Sequence, residues 1–244
     1  MTDTKVLFLP TIPGNGNYFM QELLNAYIRR DGAHRVVLFH LCDIFDDEHS
    51  VWNSGSDYSL VHTHFKYDNT PTMIWFQPLQ RVVEWIEKSD HTLTPIRDPV
   101  RALLTAKISG YIGGNGNYIV DLYEIVADWY EKYAISVLPI DLLAEREFDV
   151  RCEVVDNFMH PIDVGGGHHL DFLRKWSVFN HRVNSRTSEY RQQTPNAEDD
   201  IRLLYPSNMK AVSEVLPAYD YLLKKKDKLQ PFLEAVGYNN LPWW

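Results

Sequence analysis

Only two cysteines occur in the 244 residues, Cys42 and Cys152, far apart and in no metal-binding spacing, so reduced structural thiols are expected and neither a disulfide framework nor a cysteine-based metal site is. No apolar run approaches the roughly 18 residues of a membrane helix, so no membrane partner is expected. Basic residues are outnumbered, 24 Lys and Arg against 33 Asp and Glu, for a formal charge of −9. That balance argues against a nucleic-acid partner but leaves room for a small basic pocket holding one nucleotide. The polar start Met1-Thr2-Asp3-Thr4-Lys5 has no signal-peptide pattern, and a cytoplasmic location is expected. Linker-like stretches are also missing, so residues 1–244 are read as one domain. Finally, the chain lacks both the Gly-Lys-Ser/Thr ending of a nucleotide-triphosphate loop and the three-glycine spacing of a dinucleotide fold.

Hydrophobic residues make up 45% of the chain and aromatics 13%, ample for a core. The organising stretch is Lys5 to Ile28. Val6-Leu7-Phe8-Leu9 is a continuous apolar run, the mark of a strand covered on both faces. Pro10 and Pro13 stop it, and Gly14-Asn15-Gly16-Asn17 has the residues of a sharp turn, because glycine and asparagine tolerate left-handed backbone. A helix with Phe19, Leu23, Leu24, Tyr27 and Ile28 on one face follows. Such a turn aims backbone N–H groups and the positive helix end at one small volume, a candidate anion cradle. The alternative is a plain strand-to-helix turn.

Val36 to Phe39 is a second strand, followed by the acidic Asp43, Asp46, Asp47 and Glu48, either a solvated loop or a site selecting cationic acceptors. Ser50 to Asn69 reads as a long loop carrying His62-Thr63-His64, a triplet that is either a source of a base or a pair of exposed imidazoles. Thr72 to Phe76 is a third strand candidate, with a helix after Pro78 burying Leu79, Val82, Val83 and Ile86. A short strand from His91 to Ile96 ends in Arg97-Asp98-Pro99, where Asp98 caps a helix and Pro99 takes its first position. Arg97 then lies at a strand's carboxyl end and Thr105 two turns into the adjoining helix, an arrangement able to hold one phosphate.

These motifs together resemble the cytosolic-type sulfotransferases, which use 3′-phosphoadenosine 5′-phosphosulfate. Arg97-Asp98-Pro99 with Thr105 eight positions on is similar to that family's Arg-Asp/Asn-Pro followed by Ser. Pro13-Gly14-Asn15-Gly16-Asn17-Tyr18-Phe19 occupies the slot of its Pro-Lys-Ser-Gly-Thr-Thr-Trp, keeping the Pro, the second Gly and the terminal aromatic. Trp129-Tyr130 and Ser136 to Leu143 resemble its Trp-bearing helix and the strand ending in Tyr-Glu-Asp-Leu. The likeness runs over residues 5–143.

The resemblance implies a three-layer α/β sandwich of the P-loop NTPase-like type, with a mainly parallel sheet flanked by helices and a mostly helical part from 144 to 244. It implies a sulfuryl donor, no metal, and a small-molecule or glycan acceptor whose pocket walls come from Val51 to Tyr67. Backbone N–H groups from Gly14, Asn15, Gly16, Asn17 and Tyr18 would cradle the donor, helped by the side chains of Asn15 and Asn17, while Arg97 and Thr105 would fix the 3′-phosphate. The family's Lys on the leaving oxygen falls on Gly14; His62, Lys66 and Arg101 are the cations that would fill in. Two registers place the catalytic base. Local likeness of His62-Thr63-His64-Phe65 makes His64 the base, whereas spacing to Arg97 puts Phe76 or Gln77 in its place.

The last third carries Gly165-Gly166-Gly167-His168-His169, a helix from Leu170 to Asn184 whose Arg174-Lys175 stands in for the family's basic 3′-phosphate loop, and two short helices between Ala211 and Trp244. Gly14 to Tyr18 recurs verbatim as Gly114 to Tyr118, which reads as repeated turn chemistry rather than duplication. A catalytically silent protein of the same fold, binding a nucleotide or polysaccharide, is the alternative function.

Overall fold

Apolar side chains on both sides of one strand require a layer on each side, and that requirement organises the molecule. The computed structural model describes residues 4–28, 34–44, 48–66, 76–108, 116–145, 148–159, 162 and 216–243. β1 (Lys5–Thr11) lies in the interior of the sheet. Its Leu7 and Leu9 pack with Phe19, Met20, Leu23 and Leu24 of α1 (Asn17–Ile28) and with Val155, Phe158 and Met159. Its Val6 and Phe8 point the other way, toward Trp85, Val100, Leu104 and Tyr123.

β2 (Val36–His40) and β3 (Tyr58–Lys66) follow, separated by a single 3-10 turn and by the short α2 (His49–Trp52). Next come β4 (Phe76–Pro78), α3 (Leu79–Lys88), β5 (His91–Ile96), α4 (Pro99–Ile108), α5 (Asn117–Tyr133), β6 (Ser136–Pro139), α6 (Ile140–Glu145) and α7 (Phe148–Met159). Two C-terminal helices, α8 (Tyr219–Lys224) and α9 (Lys226–Ala235), pack on the α5 side. The strand order is β2-β3-β1-β5-β6 with β4 beside β3, and every pairing is parallel. All strands therefore present their carboxyl ends at one edge, where parallel α/β sheets place their sites. The fold is the expected one: a parallel sheet between two helical layers. Among the described residues no helix is long and apolar enough to cross a membrane.

The structure corrects one assignment that bears on the site. Nearly half of the stretch expected to be a long loop, Ser50 to Asn69, is β3, a strand between β1 and β2. Its buried polar residues Ser59, His62 and Thr63 break the apolar run that would have announced it. Hydrogen bonding makes those residues tolerable inside, as when Ser59 Oγ donates to the carbonyl of Val51 at 2.6 Å. Of the strand expected at Thr72 to Phe76, only Phe76 lies among the described residues, and it begins β4. Asp46, Asp47, Gly165 to His169 and the helix from Leu170 with Arg174 and Lys175 lie outside them.

Candidate functional site

The glycine loop leaves β1 and turns at two left-handed residues, Gly14 (φ 84°) and Gly16 (φ 77°). Gly116, before α5, has φ 79°, so the repeated Gly-Asn motif serves the same helix entry twice. The first N–H groups of α1 have no partner within the helix, and the positive end of the helix dipole lies at this end, next to the glycine loop. The two asparagine side chains are used differently from the expectation. Asn15 is fully buried; its Oδ1 accepts from the Arg97 backbone N–H at 2.7 Å and from the Tyr123 hydroxyl at 2.8 Å. Asn15 Nδ2 is buried and has no hydrogen-bond partner among the described residues. Asn17 Oδ1 accepts from Gln21 Nε2 at 2.7 Å. Of Tyr18 only the backbone is described.

Gly14 stands where the resembled family has its lysine, and the structure shows why no side chain occupies this position. A Cβ here would lie 3.0 Å from the Ala102 carbonyl oxygen and 3.6 Å from Ala106 Cβ, at a backbone angle that L residues rarely adopt. The loop is seated directly on α4.

Arg97 and Thr105 are brought together by the turn at Asp98-Pro99. Arg97 Nη1 donates to Thr105 Oγ1 at 3.0 Å, and its Nε donates to Asp141 Oδ1 at 3.0 Å. The Arg97 and Asp141 side chains are only 4% and 3% exposed. Asp141 Oδ2 accepts from the Asp98 N–H at 2.6 Å, and Arg101 Nη1 lies 3.7 Å from Asp141 Oδ1. Asp98 caps α4 as expected, its Oδ1 accepting from the Val100 N–H at 2.9 Å and from Trp243 Nε1 at 2.9 Å. Tyr123 and Tyr238 close the cluster: the Tyr123 hydroxyl shares its one proton between Asn15 Oδ1 and the Arg97 carbonyl, each at 2.8 Å, and the Tyr238 hydroxyl donates to the Ile96 carbonyl. Both phenols are pushed well above their usual range, chiefly by burial and then by the Asp141 carboxylate. Two arginines thus face two aspartates, so the corner is charge-balanced, and Arg101 is its most exposed guanidinium at 14%.

A third group sits at the carboxyl ends of β1, β2 and β3. In register, Thr11 is opposite His64, and His40 is opposite His62. Alternation puts Thr11, His62 and His64 on the α1 side of the sheet, as for Leu7 and Leu9. Thr11 Oγ1 is 2.8 Å from His64 Nδ1, 3.2 Å from His62 Nε2 and 3.2 Å from the Thr63 carbonyl. His62 Nδ1 is 3.3 Å from His40 Nδ1, and the His62 ring lies edge-on to both other imidazoles. His64 stacks on Phe76. Burial pulls the His64 pKa down to about 4, and that of His62 well below its usual value. Both are therefore neutral at pH 7, which removes His62 as the cation replacing the family's lysine. His62 also has both ring nitrogens engaged within the protein, whereas His64 Nε2 has no protein partner among the described residues. The Lys66 side chain lies outside them. No three His, Cys, Asp or Glu among the described residues are placed to hold a metal ion.

Sequence reasoning missed Thr11, His40 and Asp141, the residues that tie these groups together. The visible signals were a hydroxyl ending an apolar run and a lone carboxylate inside Ile140-Asp141-Leu142-Leu143.

No protein-family model matches the chain, and no curated protein sequence does. Among solved structures, the chain is similar in fold to mouse sulfotransferase SULT7A1 complexed with PAP, with a TM-score of 0.53 over 95% of this chain and 89% of that one. The identity is 11%, so the likeness extends to the fold.

Proposed function

We propose that the protein is a sulfotransferase-like enzyme that moves a sulfuryl group from 3′-phosphoadenosine 5′-phosphosulfate to a hydroxyl or amine of a small molecule or glycan. The observation carrying this reading is the hydrogen bond from the Arg97 N–H to Asn15 Oδ1. It joins the glycine loop to the Arg-Asp-Pro turn at the carboxyl ends of neighbouring strands, with the Thr11 and His64 pair beside them.

When bound, the donor supplies an activated sulfuryl group on a nucleotide leaving group. Backbone N–H groups at Gly16 to Tyr18 and the buried Asn15 amide hold its phosphosulfate end, where fixed dipoles act without reorganisation. The Arg97 and Thr105 corner, with Arg101 at its surface, holds the 3′-phosphate. His64 Nε2 receives the acceptor's proton. His64 near the carboxyl end of β3 supports this choice of base over Phe76 or Gln77, because its ring nitrogen can take a proton and neither of those side chains can.

The test is turnover with 3′-phosphoadenosine 5′-phosphosulfate and a panel of phenols, aliphatic alcohols and amines, followed as adenosine 3′,5′-bisphosphate release. His64→Ala is expected to lower kcat about a hundredfold while the bisphosphate still binds. Gly14 favours a second reading, since a loop without a side-chain cation suits a binding protein. Bisphosphate binding by the wild type with no transfer to any acceptor would establish that reading.

A further inference from the structure

His40, His62, Thr11 and His64 form one connected line of hydrogen-bonding atoms. His64 Nδ1 lies 3.2 Å from the Thr11 carbonyl as well as 2.8 Å from Thr11 Oγ1. A carbonyl only accepts, so Nδ1 carries the proton and Nε2 the outward lone pair. Thr11 Oγ1 then accepts from His64, and its own proton is directed to His62 Nε2 or the Thr63 carbonyl, each at 3.2 Å. With His62 Nε2 accepting, His62 Nδ1 is the protonated nitrogen and donates to His40 Nδ1 at 3.3 Å. His40 is exposed, so its Nε2–H meets water. With the Thr11 proton directed to His62 Nε2, each link runs from a donor to an acceptor in one direction, from the half-buried His64 to the surface.

Taking His64 as the base of the reaction proposed above, we propose that this line is a proton relay carrying the acceptor's proton out through His40. The acceptor O–H bond breaks and an N–H bond forms at His64 Nε2. His64 Nδ1 passes its proton to Thr11 Oγ1, Thr11 passes its own to His62 Nε2, His62 Nδ1 passes its own to His40 Nδ1, and His40 Nε2 releases one to water. The electron pairs stay on the atoms that lose protons, so no imidazolium is left inside. Product departure exposes His64 Nε2–H to solvent, and proton exchange at the two ends restores the resting tautomers. The relay answers a difficulty created by burial: His64 is a weak base that cannot retain a proton at neutral pH, and passing it on removes the need.

The decisive experiment is nitrogen NMR of histidine-labelled protein at pH 7, combined with kinetics of Thr11→Val and Thr11→Ser. The relay requires His64 and His62 protonated on Nδ1 and His40 on Nε2. Thr11→Val is expected to lower kcat about tenfold with KM unchanged and to straighten a curved proton inventory, whereas Thr11→Ser keeps both within about twofold of wild type. His62 protonated on Nε2, or equal kinetics for Thr11→Val and wild type, would overturn the relay. Should no sulfuryl transfer be found, the reading of function fails, while the three tautomers still decide whether the line has this polarity.

Discussion

Replacing Asp141 with alanine is expected to lower folding stability by about 3 to 5 kcal/mol, the range for breaking a buried ion pair from one side. The loss has three parts. The Arg97 guanidinium keeps its charge in a site only 4% exposed, the Asp98 N–H loses its acceptor, and Arg101 loses its neighbouring carboxylate. Asp141→Asn should cost nearly as much, because an amide offers one acceptor oxygen where the carboxylate uses both, to Arg97 Nε and the Asp98 N–H. Exchanging the pair together, Arg97→Met with Asp141→Leu, removes the stranded charge and should recover much of the loss. Urea unfolding of the wild type, Arg97→Met, Asp141→Leu and the double variant measures the coupling. A cost under about 1 kcal/mol for Asp141→Ala would mean that the pair is open to water.

Acidification should destabilise the protein before its carboxylates begin to titrate. The folded state holds His64 near pH 4, against about 6.5 in an unfolded chain, so between those values the unfolded chain binds the extra proton. The contribution is present in full above about pH 6.5 and is lost as pH falls. It amounts to about 2 kcal/mol by pH 5 and about 3 kcal/mol by pH 4. His62 is also held well below its usual value by burial and adds in the same direction. Urea midpoints at pH 7 and 5, for wild type and for His62→Gln with His64→Gln, separate this effect from general acid unfolding. The wild type should lose stability over that interval and the double variant should lose much less. Equal slopes, or NMR titration of His64 near pH 6.5, would contradict the burial of these rings.

Where the chain carried a pattern with one physical meaning, it could be read directly. The apolar run at Val6 to Leu9 became an interior strand, the glycine turn entered α1, and Asp98-Pro99 started α4 with the expected cap. β3 was illegible for the reason that makes it interesting. A strand that builds a site at its end places Ser59, His62 and Thr63 inside, and buried polar residues erase the periodicity by which strands are recognised. The candidate site divides the same way. Local spacing showed that Arg97 and Thr105 would meet, but nothing local reveals that Asp141, 44 positions away, holds the same guanidinium. Nor does it show that the oxygen of Asn15 is committed to Arg97 and Tyr123. Long-range partners of polar groups are set by topology, and a single sequence does not display them.

The account rests most heavily on the glycine loop and the Arg97 corner acting on one doubly phosphorylated nucleotide, which a calorimetric titration of adenosine 3′,5′-bisphosphate into the intact protein tests directly. Binding on the order of micromolar is predicted, with 5′-AMP and ATP at least about tenfold weaker because neither supplies a 3′-phosphate. No heat at millimolar bisphosphate, or ATP binding as tightly, would contradict it.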